Sequence, residues 1–180
     1  AAYPAAYRNV ISVGSVNSQD LRSNFSNYHE TIDLVAPGED VLSTMPVELG
    51  SYGRLSGTSM AAPMVSGAAA LILSQYAPNT VTPQQLGAIL KSAADDVDPI
   101  NPQFRTLLGA GRLNVERSIS TGLNASYAEV TDFRTIDAAG DGYLDAGEEF
   151  DLDITLHNIL AENDGLEVDA RIPDTAILSL

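Results

Sequence analysis

The sequence predicts an α/β protein: part of a parallel sheet, followed by a smaller β-rich module that reads as a partial β-sandwich. Three observations point there. Val10 to Val16 and Ile32 to Ala36 are short, continuous β-rich runs of the kind that form buried parallel strands. From Ser59 to about Tyr76 nearly every residue is small or apolar all the way round, which suits a helix in the middle of a protein. After residue 122 the period changes to two. Phe150, Leu152, Ile154 and Leu156 alternate with Asp151, Asp153, Thr155 and His157, a half-exposed strand with an acidic outer face.

The elements run in order along the chain. Ser18 to Tyr28 is polar and loop-like. Pro37-Gly38 closes the second strand, and Asp40 to Thr44 offers a third. The Ser59 helix stops at Pro78, and Pro63 is expected within its first turn, where a missing N–H costs little. Thr82-Pro83-Gln84-Gln85 opens another helix, with Thr82 as N-cap, Pro83 at the first position and Gln85 three residues after the cap. It carries Leu86, Ile89 and Leu90 inward and runs to about Ala94. Gly109-Ala110-Gly111 is a tight turn, and Leu113 to Ile119 a further short helix. Residues 167–172 repeat the two-residue alternation.

Composition narrows the function classes. The net charge of −15 argues against nucleic acid and against anionic membrane surfaces as partners. The apolar run Ala68 to Leu73 is far short of the ~20 residues a membrane span needs. With no cysteine there is no disulfide framework. Residues 1–122 hold 10 acids and 7 bases, whereas residues 123–180 hold 14 acids and 2 bases, so the chain divides near Ser120-Thr121-Gly122.

The segment LSGTSMAAPMVSGAAALIL, Leu55 to Leu73, carries the chemistry. A serine after Gly-Thr at a helix start is commonly an N-cap. A nucleophile also fits there, because free backbone N–H groups and the positive end of the helix dipole stabilise an oxyanion as it forms. SGTSMAAPMVSGAAAL closely resembles the nucleophile segment of subtilisin-like serine proteases. YPAAYRNVISVGSV resembles that family's late strand and the loop before it. FSNYHETIDLVAPGEDVLST resembles the next strand and turn, and GAGRLNVERSIS the closing helix.

The resemblance implies that residues 1–120 are the C-terminal part of a subtilisin-like peptidase domain, with residues 123–180 an acidic, incomplete accessory module. It implies Ser59 as the acyl-forming nucleophile of a secreted, extracellular endopeptidase, with the Ser59 N–H as one oxyanion donor. It further implies that the triad aspartate, the histidine base and the oxyanion asparagine precede the YPAAY segment and so lie outside this chain. Met64 stands where the family usually has a histidine other than the base. His29, in place of a family glycine, and His157, in the second module, are the two histidines present. Either could serve Ser59 in a promiscuous esterase acting on activated esters, which need less leaving-group help than amides; solvent exposure is the plainer reading of both.

Two cation sites are candidates, the second of them calcium rather than a metal-free Gly-Asp-Gly turn in an acidic surface. The resemblance implies a weak monovalent or calcium site formed by the carbonyls of Ala5, Tyr7 and Val10 with the Asp33 carboxylate, and a cis Tyr3-Pro4 bond beside it; Asp33 could instead cap a turn or face solvent. Independently, DAAGDGYLDAGE reads as a twelve-residue calcium loop. Its ligands would be Asp137, Asp141, the Tyr143 carbonyl, Asp145 and Glu148, with Ala139 at a position that usually supplies another. This loop opens a third function class, a non-enzymatic calcium-binding module. The all-apolar helix and an open edge on the Val10 to Val16 strand also predict self-association.

If the acidic loop takes calcium, millimolar Ca²⁺ raises the melting temperature relative to excess chelator, and neutralising Asp141 and Asp145 removes that response. A melting curve indifferent to Ca²⁺ counts against the loop.

Overall fold

The computed structural model describes residues 2–137 and 150–161. Its centre is a parallel pair, β1 (Val13–Val16) and β2 (Leu34–Pro37), in register from Val13 opposite Leu34 to Val16 opposite Pro37. The α/β expectation holds, although the first strand is shorter than the Val10 to Val16 run.

The outer edge of β2 is completed by the Gly109-Ala110-Gly111 turn and by Arg112 and Leu113 after it. Val35 N–H donates to the Gly111 carbonyl and Leu113 N–H to the Val35 carbonyl, both at 2.8 Å. Gly109 and Gly111 have φ of +69° and +113°, and a Cβ on Gly111 would lie 2.1 Å from the Asp95 carbonyl oxygen. Only glycine meets both demands. The outer edge of β1, expected to be open, is covered. Ser23 N–H donates to the Ser15 carbonyl at 3.0 Å, and Asn17 N–H to the Leu21 carbonyl at 2.9 Å. Ser15 N–H donates to Ser26 Oγ at 2.9 Å. The polar Ser18 to Tyr28 loop folds back to satisfy that edge.

β3 (Val41–Thr44) pairs antiparallel with β4 (Tyr52–Leu55) in an exposed hairpin. Then comes α1 (Thr58–Leu73), which lays Ala61, Val65, Ala68 and Ile72 against Leu34 and Ala36. Its opposite side is open in part, with Leu71 and Leu73 exposed. Pro63 is the sixth residue of α1, deeper than the first turn where the sequence placed it. It therefore removes the donor that would meet the Ser59 carbonyl.

α2 (Pro83–Ser92) starts on the full capping box. Thr82 Oγ1 accepts from Gln85 N–H, and Gln85 Oε1 accepts from Thr82 N–H. Ile89 and Leu90 are buried in the same core as α1. α3 (Val115–Thr121) begins on Asn114, whose side chain accepts from Arg117 N–H.

The acidic module contributes an antiparallel ribbon. β5 (Ala128–Asp137) pairs with β6 (Phe150–Asn158), with a register shift between Val130 and Asp132. β6 matches the predicted alternating strand. Its apolar row is only partly covered, since Ile154 and Leu156 are half-buried while Leu152 is exposed. The other predicted strand, at 167–172, lies outside the described residues. Among the described residues no helix is long and apolar enough to cross a membrane.

One charge cluster ties the α/β unit together. Asp95 accepts from Arg112 Nη2 at 2.5 Å, Arg117 Nη2 at 2.7 Å and Asn114 Nδ2 at 3.1 Å. The same Arg112 reaches Asp20 at 3.0 Å, across 92 residues of sequence. The Arg112 hydrogen bond, then that of Asn114, holds the Asp95 carboxyl below its ordinary 3.8. A depressed folded-state value stabilises the fold above 3.8, and that stability is lost as pH falls through the folded value. Asp95→Asn should therefore be less stable than the parent in denaturant at pH 7, with a gap that narrows in acid below 3.8. An equal gap at both pH values contradicts this assignment.

Candidate active site

Parallel strands that end together leave a crevice at their C-terminal ends, which is where open α/β sheets place their ligands. Here β1 ends at Val16 and β2 at Pro37, and Gly38 comes next. Gly38 N–H donates to the Val16 carbonyl at 3.1 Å, and the Gly38 carbonyl accepts from Gly57 N–H at 2.7 Å. The start of α1 is thereby fastened to the ends of both strands. A side chain on Gly38 has no room, since its Cβ would lie 2.5 Å from Ser15 Oγ and 2.7 Å from the Gly57 carbonyl oxygen. Below it Ser15 Oγ and Ser23 Oγ share a buried hydrogen bond of 2.9 Å.

Ser59 is the second residue of α1 and is exposed. Gly57 is the N-cap with φ 161° and ψ 158°, and no side chain caps the helix. Met60 N–H and Ala61 N–H both donate to the Gly57 carbonyl, at 2.9 and 3.4 Å. Among the described residues, the Thr58 and Ser59 N–H groups have no backbone acceptor, and the Ser59 hydroxyl makes no hydrogen bond. A hydroxyl open to solvent thus stands beside unpaired N–H donors at the positive end of a sixteen-residue helix. That arrangement suits a nucleophile whose attack builds negative charge on a carbonyl oxygen.

The histidines lie elsewhere. His29 is half-buried, and its Nδ1 accepts from Thr31 N–H at 3.2 Å and lies 3.1 Å from Thr31 Oγ1. It lines a cavity with Asn27, Tyr28 and Ile32. His157 is exposed on β6, opposite Glu129, and lines a different cavity beneath the ribbon. Ser59 lines neither cavity. Among the described residues neither histidine hydrogen-bonds Ser59; one sits in the loop before β2 and the other on the ribbon.

The Tyr3-Pro4 bond is cis, as the resemblance implied. Asp33 is half-buried at the start of β2, its Oδ2 accepting from Ser12 N–H at 2.8 Å. Its other oxygen lies 3.6 Å from Lys91 Nζ. Asp137 ends β5, while Asp141, Tyr143, Asp145 and Glu148 lie outside the described residues. Two features were not anticipated from the sequence. One is the Gly38 to Gly57 backbone contact, for which Pro37-Gly38 gave only a turn signal. The other is Lys91 beside Asp33, which a lone lysine in a helix does not advertise.

An exposed serine thus stands at the start of a half-exposed helix, at the C-terminal ends of two parallel strands. Residues 1–114 match the Subtilase family, and the chain belongs to that family. It is 62% identical over 73 residues to the major intracellular serine protease of Bacillus subtilis (strain 168), covering 41% of this chain and 22% of that one. It is 51% identical over 74 residues to subtilisin NAT of Bacillus subtilis subsp. natto, covering 41% and 19%. Among solved structures, one described as proteases from Pseudoalteromonas arctica aligns with TM-score 0.58 and 33% identity, covering 66% of this chain and 38% of that chain. The chain thus spans about a fifth of the length of the curated relatives it matches.

Gly38→Ala should cost about 1–3 kcal/mol of stability, because the added methyl collides with both the Gly57 backbone and the buried Ser15 hydroxyl. Denaturant unfolding would measure it, and a neutral substitution would show that Gly38 and Gly57 are not held in contact.

Proposed function

We propose that this chain supplies the acyl-forming serine of a subtilisin-like peptidase, with Ser59 attacking the carbonyl carbon of a peptide substrate. The observation that supports this most directly is the exposed Ser59 hydroxyl beside two N–H groups without backbone acceptors. In the proposed step the serine oxygen bonds to the carbonyl carbon, and the Ser59 N–H donates to the resulting oxyanion. A general base takes the hydroxyl proton and returns it to the leaving nitrogen, so that breakdown of the intermediate breaks the C–N bond, releases the amine and leaves an acyl-enzyme for water to hydrolyse. The hydroxyl proton needs an acceptor, and neither His29 nor His157 lines a cavity with Ser59. The 180-residue chain alone is therefore expected to be a very poor protease, since losing triad members lowers kcat by about 10⁴–10⁶.

A fluorophosphonate probe tests the serine. Slow, saturable labelling is expected in the parent chain and none in Ser59→Ala. Labelling that persists in the variant overturns the assignment. Casein hydrolysis by the parent chain that disappears in Ser59→Ala would show that a base within these residues does reach the serine.

A further inference from the structure

Between the α/β unit and the ribbon lies a cavity of about 750 Å³, bounded by the loop carrying Ala5, Tyr7 and Val10 and by the start of α2. This is the position at which the family resemblance implies a bound cation. Four charged side chains line it: Asp33 and Glu129 against Arg8 and Lys91. They balance, leaving no excess negative charge to draw a metal ion from solution.

Lys91 lines it and pairs with both carboxylates. Its Nζ lies 2.6 Å from Glu129 Oε1 on β5 and 3.6 Å from Asp33 Oδ1 at the start of β2, and 5.0 Å from the ring centroid of Tyr127. Its side chain is only 17% exposed. A calcium ion ligated by Asp33 Oδ1 at about 2.4 Å would lie within about 6 Å of that ammonium, where two positive charges in a half-buried site repel. Asp33 Oδ2 is already engaged by Ser12 N–H. The residues present do not fit an added cation at Asp33.

We infer that Lys91 is itself the cation of the Asp33 site, and that by bridging Asp33 to Glu129 it fastens the β5–β6 ribbon to the α/β unit. The site in this chain is then independent of metal, and the charge that neutralises Asp33 is also the clasp between the two parts. Glu129 reaches Lys91 from the ribbon's first strand, and Tyr127 covers the ammonium just before that strand begins.

The test uses the whole chain with Asp141→Asn and Asp145→Asn, so that the separate acidic loop gives no calcium response. In that background the melting temperature should be the same in chelator and in millimolar Ca²⁺. Adding Lys91→Gln should lower it in chelator and make it rise with Ca²⁺, because an inorganic cation then has room beside Asp33. Hydrogen exchange at 128–137 should be about tenfold faster in both Lys91→Gln and Glu129→Gln, with that at 58–73 unchanged. Glu129→Gln keeps the lysine in place and covers the case in which Lys91→Gln does not fold. The inference is overturned if the Lys91-containing background is stabilised by Ca²⁺ in a way that Asp33→Asn abolishes. It is equally overturned if Glu129→Gln leaves exchange at 128–137 unchanged.

Discussion

The hydrogen bond from Gly57 N–H to the Gly38 carbonyl is the contact on which the geometry of this molecule turns. Two parallel strands cannot be joined by a tight hairpin, so the segments beyond them must be gathered at their C-terminal ends by something other than a turn. Here the gathering is done by backbone against backbone. It demands glycine at 38, because any side chain would collide with Ser15 and with Gly57 itself. Once the contact forms, it sets the direction of α1, the exposure of Ser59 and the unpaired N–H groups beside it.

The packing of α1 obeys the same logic. A helix brought this close to a sheet must present small side chains, and Ala61 and Ala68 alternate with Val65 and Ile72 along the buried stripe. The helix carries no charged residue, so capping and dipole pairing contribute little and burial holds it in place. Charge is used where packing is thinner: at Asp95, which collects Arg112, Arg117 and Asn114, and at Lys91, which joins two carboxylates.

Much of this was legible in the residues. The two β-rich runs, the apolar helix and the Thr82 to Gln85 capping box each carry a local signal strong enough to survive folding. The place of Ser59 at a helix start was legible through its flanking pattern, which no single physical rule would have isolated. What was hidden depends on distant partners. The closed edge of β1 needs Leu21 to Ser26 to fold back. Ribbon strand β5 has a register shift, and its exposed apolar residues Val130, Phe133 and Ile136 do not all fall on one face, so alternation does not mark it. Pro63 lies deeper than its sequence suggests because the helix already starts at Thr58, leaving five residues ahead of the proline.

The closure of β2 by residues 111–113 has a consequence for synthesis. A nascent chain emerges from its first residue onward, and Ser59, α1 and both central strands leave the ribosome long before Arg112 does. Until then β2 has a bare edge, Asp20 lacks its arginine, and Arg22 N–H lacks the Asn101 oxygen that meets it across 79 residues. Contacts this distant in sequence form late, so the early strands must wait in a partly paired state. Ser59 is made well before residues 111–113, yet the sheet that positions it is completed only by them.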